Sequence, residues 1–159
     1  MSAVIRTATP DDVPDILRLI RELADYERAL HEVKATEEQL RERLFGEEPK
    51  VFANVVEHEG RVVGFALWFL TFSTWNGTHG IYLEDLFVEP DVRGHGYGKL
   101  LLTELARIAE ERGYERVEWS VLTWNTPAIE FYEALGARPQ DEWMVYRLTG
   151  EALTTAAKS

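Results

Sequence analysis

The stretch that most limits what this chain can become runs Val88-Glu89-Pro90-Asp91-Val92-Arg93-Gly94-His95-Gly96-Tyr97-Gly98-Lys99. An apolar, strand-like run from Ile81 to Val88 leads into it, and an amphipathic helical run from Leu100 to Arg112 leads out. Gly94, Gly96 and Gly98 alternate between Arg93 and Lys99. A strand, a glycine turn and a helix start together aim free backbone N–H groups at a phosphate.

The remaining chain is consistent with one folded unit. Its 159 residues suit a single domain that buries about two-thirds of the surface its unfolded chain exposes. No run approaches the ~18 apolar residues that span a bilayer, and no charged-then-apolar leader stands at Met1. A cytoplasmic protein without a membrane partner is expected. Cysteine is absent, which removes disulfides, thiolate metal sites and a cysteine nucleophile. The net charge of −11 argues against nucleic acid as a partner and favours cationic ones.

In chain order, Ala3 to Thr7 reads as a strand. Thr9-Pro10-Asp11-Asp12 reads as a capped helix start, and Val13, Ile16, Leu17, Ile20, Leu23 and Ala24 share one helical face. A second capping box at Thr36-Glu37-Glu38-Gln39 opens a short helix that Gly46 stops. Val51–Glu57 and Arg61–Phe72 read as strands joined by a tight turn at Glu59-Gly60. After the helix that ends at Gly113, Arg116–Leu122 reads as a strand. A helix with Thr126 as cap and Pro127 first then runs to Leu135, and Trp143–Leu148 reads as the last strand. The tail after Thr149 is expected to fray. The sum is one α/β domain over residues 1–159 with a mixed sheet.

The turn fails the dinucleotide fingerprint, because the sixth position from Gly94 is Lys99. It fails the phosphate-binding P-loop pattern because Leu100 follows Gly98-Lys99. It fits R-x-x-G-x-G, with Arg93, Gly96 and Gly98, and so resembles the acetyl-CoA pyrophosphate loop of the GCN5-related N-acetyltransferase superfamily. Glycine lets the backbone approach a ligand closely and take positive φ, so the N–H groups of Gly94, His95, Gly96, Tyr97, Gly98 and Lys99 can surround a pyrophosphate.

Two further stretches support this resemblance. Tyr82-Leu83-Glu84-Asp85-Leu86-Phe87-Val88 carries two acids inside an apolar strand, where a carboxylate is costly unless paired or lining a cavity. Simple alternation sends Glu84 and Asp85 to opposite faces. Asn125-Thr126-Pro127-Ala128 followed by Tyr132 is similar to the superfamily's asparagine and, seven residues on, tyrosine.

With Ile20-Arg21-Glu22-Leu23-Ala24-Asp25-Tyr26-Glu27 and Trp124-Asn125, these residues resemble the spermidine/spermine (diamine) N-acetyltransferase group over about Val4 to Leu148. Polyamine acetylators of that group carry an aspartate and a proline before the loop tryptophan. Ser73-Thr74-Trp75 stands here instead, similar to the thialysine acetyltransferase branch. The departure removes a carboxylate that could hold a distant ammonium, which favours a small amine or an amino acid with a side-chain amine.

The resemblance implies a mostly antiparallel mixed sheet flanked by helices, a bulge that splays the Ile81–Val88 strand, and a pantetheine arm pairing along Leu86, Phe87 and Val88. It implies acetyl-CoA as co-substrate without a metal, Asn125 to Ala128 beside it, and a homodimer. It also implies an amine site at Tyr26, Glu27, Trp75, Glu84, Glu118, Trp119 and Ser120. A primary amine of pKa ~10 must lose a proton before it attacks. Glu84, directly or through water, is the candidate base, and Tyr132 the candidate acid to the CoA thiolate. Without cysteine, direct transfer is simpler than a covalent acyl-enzyme. The same scaffold also serves polyamine, protein and antibiotic amines, or a non-catalytic acyl-CoA-binding module.

Overall fold

The computed structural model describes residues 3–159. These fall into two compact units, the first running to Ser120 and the second from Val121 to Ser159.

The first unit is a five-stranded sheet in the order β1 (Ala3–Thr7), β2 (Phe52–His58), β3 (Arg61–Ser73), β4 (Thr78–Val88), β5 (Val117–Trp119). Neighbours are antiparallel except β4 and β5, which run parallel. Parallel neighbours need a long crossover, and α3 (Tyr97–Arg112) supplies it. The β2–β3 hairpin closes through Glu59 and Gly60, with φ of 53° and 78°, the doubly left-handed turn that matches strand twist.

Helix α1 (Val13–Tyr26) follows a 3-10 turn at Pro10–Asp12, and α2 (Glu37–Phe45) follows another at Leu30–Glu32. The Asp12 carboxylate accepts from the Thr9 N–H at 2.7 Å and pairs with Arg6. The Thr36–Gln39 capping box forms as the spacing requires. On α1 the expected face is buried at Val13, Ile16 and Leu17, and Leu19 is buried too. Contact with α2 on the flank widens the covered arc, so Leu19, Ile16 and Leu44 share one core with Val55, Phe65 and Phe87.

Three helices end in the same two-bond closure. At α1, Arg28 N–H donates to the Asp25 carbonyl and Ala29 N–H to that of Ala24. At α3, Gly113 and Tyr114 do the same toward Glu110 and Ala109. In the second unit α4 (Thr126–Ala134) closes through Gly136 and Ala137. Gly113 and Gly136 take the left-handed position the closure needs, whereas at α1 Arg28 takes it, with φ 62°.

Four expectations are corrected. The α4 cap is Asn125 rather than Thr126, because the Asn125 side-chain oxygen accepts from the Ala128 N–H. The strand expected over Arg116–Leu122 is confined to Val117–Trp119, the residues of that run in register with β4. Trp143–Leu148 is not a strand: its side chains are exposed, Val145 and Tyr146 each at 90%. A strand exists only through its ladder, however high its local propensity. The tail is ordered as α5 (Gly150–Ala157) rather than frayed.

Glu89, directly after β4, is buried and receives Arg61 from β3 and Arg18 from α1, the latter at 3.2 Å. Arg18 also donates to the Val62 carbonyl. This junction locks the start of the glycine turn to strand and helix. Glu89→Gln keeps the volume but removes the charge, and should lower stability by about 1–3 kcal/mol. Urea unfolding at neutral pH measures it.

Candidate active site

Strand β4 organises the candidate site. Its ladder with β3 pairs Leu83 with Trp68 and Asp85 with Leu67, so Glu84 is an extra residue opposite no partner. This is a β-bulge, and the splay implied by the family resemblance is present. Burial differs for the two acids, as the alternation expected from the sequence requires: Leu83 is buried, Glu84 exposed and Asp85 half-buried. On its other side β4 pairs with β5 only from Ile81 to Leu83. From Glu84 to Val88 that edge has no ladder partner among the described residues, which leaves backbone groups of Leu86, Phe87 and Val88 for an added extended chain.

Carboxylates gather at the bulge. Glu27 ends α1, and its carboxyl is raised by burial and then by the charge of Glu84. Asp85 is pushed up to about 7, first by burial and then by Glu84 and Glu27. Three acids in mutual range favour any cation that enters. Beside them Tyr26 is half-exposed, and the Arg93 guanidinium lies 5.9 Å from its ring centroid and 5.4 Å from that of Phe87. The two-bond closure at Arg28 holds Tyr26 and Glu27 at the helix end. Sequence reasoning assigned Asp85 no role; its signal was a second acid next to a bulge that only the ladder reveals.

The glycine turn is open and left-handed at two of its glycines. Gly94 and Gly96 have φ of 94° and 77°, and a Cβ built there or at Gly98 would meet nothing within 4 Å. Gly96 caps α3 without a side-chain hydrogen bond. The N–H groups of Tyr97, Gly98 and Lys99 therefore lie in a first turn where helices offer no internal acceptor, at the positive end of the dipole. Lys99 is exposed, and Tyr97 is buried. Arg93 turns inward: its Nε donates to the Val88 carbonyl at 3.1 Å. His95 Nδ1 donates to the Val92 carbonyl at 2.9 Å. Both side chains brace the loop.

The other predicted acceptor residues spread over the sheet end. Trp75 is at the tip of the β3–β4 hairpin and 88% exposed. Glu118 and Trp119 lie on β5 opposite Tyr82 and Leu83. Ser120 Oγ and the Tyr82 hydroxyl are 2.7 Å apart, and Tyr82 is a contributor that sequence reasoning left out. A groove of about 690 Å3 beside α1, lined by Leu17, Arg18, Arg21, Leu30 and Val33, contains none of the predicted site residues.

In the second unit, Asn125 is buried and caps α4, with Thr126, Pro127 and Ala128 forming its first turn. Tyr132 lies two turns on, half-buried, its ring centroid 5.5 Å from that of Phe131.

The Acetyltransferase (GNAT) family model matches residues 16–137, across both units. The chain belongs to the GNAT family. It is 40% identical over 165 residues to the thialysine N-epsilon-acetyltransferase of Bos taurus, covering 97% of this chain and 96% of that one. It is 34% identical to the L-ornithine N5-acetyltransferase NATA1 of Arabidopsis thaliana, covering 99% and 89%. Among solved structures, an integron cassette protein from the mobile metagenome of V. cholerae superposes with a TM-score of 0.84 at 29% identity, covering 100% of this chain and 99% of that one. The chain is therefore an N-acetyltransferase of this family, and its mixed five-stranded sheet with helices is the family's fold.

The Asp85 carboxyl makes stability depend on pH. Raised from an unfolded value near 3.8 to about 7, it binds more proton in the folded state than in the unfolded one between those values. Stability from this group is complete below about pH 4 and declines as pH rises to about 7. Asp85→Asn should remove that decline, so thermal melts should show the variant gaining on the parent chain between pH 5 and pH 8.

Proposed function

We propose that the chain transfers the acetyl group of acetyl-CoA to a primary amine of a small cationic substrate, a lysine-like amino acid or a diamine. The transfer is by direct attack in a ternary complex, and both units act as one acetyltransferase domain that works as a homodimer. The observation that carries the reading is the gathering of Glu27, Glu84 and Asp85 at the β4 bulge, next to an open strand edge and a phosphate-facing turn. Similarity to the thialysine and ornithine acetyltransferases, whose named substrates are amino acids with a side-chain amine, points the same way.

Each residue then has a physical task. The turn from Gly94 to Lys99 holds the pyrophosphate through backbone N–H groups, and Asn125 orders the α4 turn beside the donor. The free edge at Leu86, Phe87 and Val88 aligns the extended pantetheine arm and offers an N–H to the carbonyl oxygen as it gains charge. Bound acetyl-CoA supplies the thioester under attack. Tyr26, Glu27, Trp75, Glu118, Trp119 and Ser120 receive the cation through charge and aromatic faces. Glu84 takes the ammonium proton, directly or through a water. As the new C–N bond forms and the C–S bond breaks, Tyr132 gives its hydroxyl proton to the departing sulfur, the nitrogen releases its second proton to solvent, and solvent returns a proton to Tyr132.

A thiol-release assay over lysine-like amino acids, diamines, long polyamines, peptides and aminoglycosides tests the acceptor. The short amines should show the highest kcat/KM, and preference for a long polyamine or a peptide overturns the assignment. Tyr132→Phe should lower kcat by about 10²-fold, the lower end for lost acid catalysis, with acetyl-CoA affinity little changed. Glu84→Gln should displace the pH–rate profile as well as lower it. A superimposable profile removes Glu84 from the role of base.

A further inference from the structure

We infer that His58 is a positioning residue for the donor turn, acting through the Tyr97 hydroxyl, and that this pair replaces the side-chain cap that α3 lacks. The inference rests on the reading of Gly94–Lys99 as the pyrophosphate turn.

The turn itself has little to hold it. Two of its residues, Gly94 and Gly96, sit at positive φ with open space where a side chain would pack. A helix start usually gains a Ser, Thr, Asp or Asn cap that satisfies one first-turn N–H and fixes the entry angle; Gly96 provides none. This leaves the first-turn N–H groups available to a phosphate but leaves their direction to be set by other contacts. Three side-chain bonds supply it. Arg93 reaches the Val88 carbonyl at the entry, and His95 reaches Val92 in the middle. At the exit, the Tyr97 hydroxyl stands 2.5 Å from His58 Nδ1.

The exit bond is the one that joins residues far apart in sequence. Tyr97 is the first residue of α3 and is buried, 5% exposed. A buried hydroxyl needs a partner, and His58, the last residue of β2, provides it. Neutral His58 can accept at Nδ1 while its Nε2–H faces the Glu59 carboxylate 3.6 Å away. The His95 ring stacks on Tyr97 at 5.2 Å and meets His58 edge-on at 5.3 Å. The turn is thus tied at His95 and Tyr97 to a strand inside the sheet. Neither His58 nor the Tyr97 side chain belongs to the R-x-x-G-x-G pattern, which constrains only Arg93, Gly96 and Gly98.

Calorimetric titration of the full chain with acetyl-CoA is the test, with His58→Leu, His58→Asn, Tyr97→Phe and the His58→Leu/Tyr97→Phe double variant. Asparagine can place an amide oxygen near the position of Nδ1 and restore the acceptor without the ring. His58→Leu and Tyr97→Phe should each weaken acetyl-CoA binding about three- to tenfold, the range one hydrogen bond supports. The double variant should be no weaker than either single one, and His58→Asn should return to within about twofold of the parent chain. Amide exchange at residues 96–99 should quicken in His58→Leu and not in His58→Asn. With saturating acetyl-CoA, kcat and the amine KM of His58→Leu should match the parent chain, which a general loss of fold would not allow. Unchanged affinity in His58→Leu, or His58→Asn as weak as His58→Leu, overturns the inference. Failure of the parent chain itself to bind acetyl-CoA overturns the donor reading instead.

Discussion

Much of the first unit depends on one extra residue in the β3–β4 ladder. From Ile81 to Leu83, β4 is paired on both sides; past Glu84 it is paired on one side only among the described residues. Strand pairing is cooperative and leaves few backbone groups unsatisfied, so an edge inside a sheet needs a cause. The bulge at Glu84 stands directly after the last residue of β4 that pairs with β5. A carboxylate, an open strand edge and the approach to the glycine turn lie within a few residues of that insertion.

What surrounds the bulge is arranged to tolerate it. Phe87 and Val88 return to the core, and Glu89 is clamped by Arg61 and Arg18, so the strand is fixed again within five residues of the break. Arg93 folds back onto the Val88 carbonyl and against Phe87 and Tyr26. It thereby connects the turn with the end of α1, where Glu27 sits. The glycine turn and the end of α1 are consequently braced by one short run of side chains. Burial, and then the charges of Glu84 and Glu27, raise the Asp85 carboxyl, whose proton is held to about pH 7. Such strain is expected where a cation is to be bound rather than where a fold is to be stabilised.

The resemblance to amine acetyltransferases spans essentially the whole folded chain, and the family model crosses from one unit to the other. Local chemistry and family membership therefore agree on the class of reaction. Within that class, Ser73-Thr74 before the loop tryptophan resembles the thialysine branch, and the His58–Tyr97 tie lies outside the R-x-x-G-x-G pattern.

Most elements were legible in the sequence because their signals are local. The Thr36 capping box, the glycine stops at Gly113 and Gly136, and the Glu59-Gly60 turn each follow from steric or hydrogen-bonding rules that act within a few residues. The R-x-x-G-x-G turn is legible for the same reason, since positive φ and first-turn N–H groups are properties of the segment itself. Tertiary structure decided the rest. A bulge is a mismatch between two strands, so neither strand alone announces Glu84 as the unpaired residue. The strand at Val117–Trp119 ends where its ladder with β4 ends, and Trp143–Leu148, strand-like by composition, pairs with no strand among the described residues. The raised carboxyl of Asp85 and the His58–Tyr97 bond depend on groups far apart in sequence: 58 residues separate Glu27 from Asp85, and 39 separate His58 from Tyr97. Local rules determined which elements form; packing decided which charges and hydrogen bonds those elements bring together.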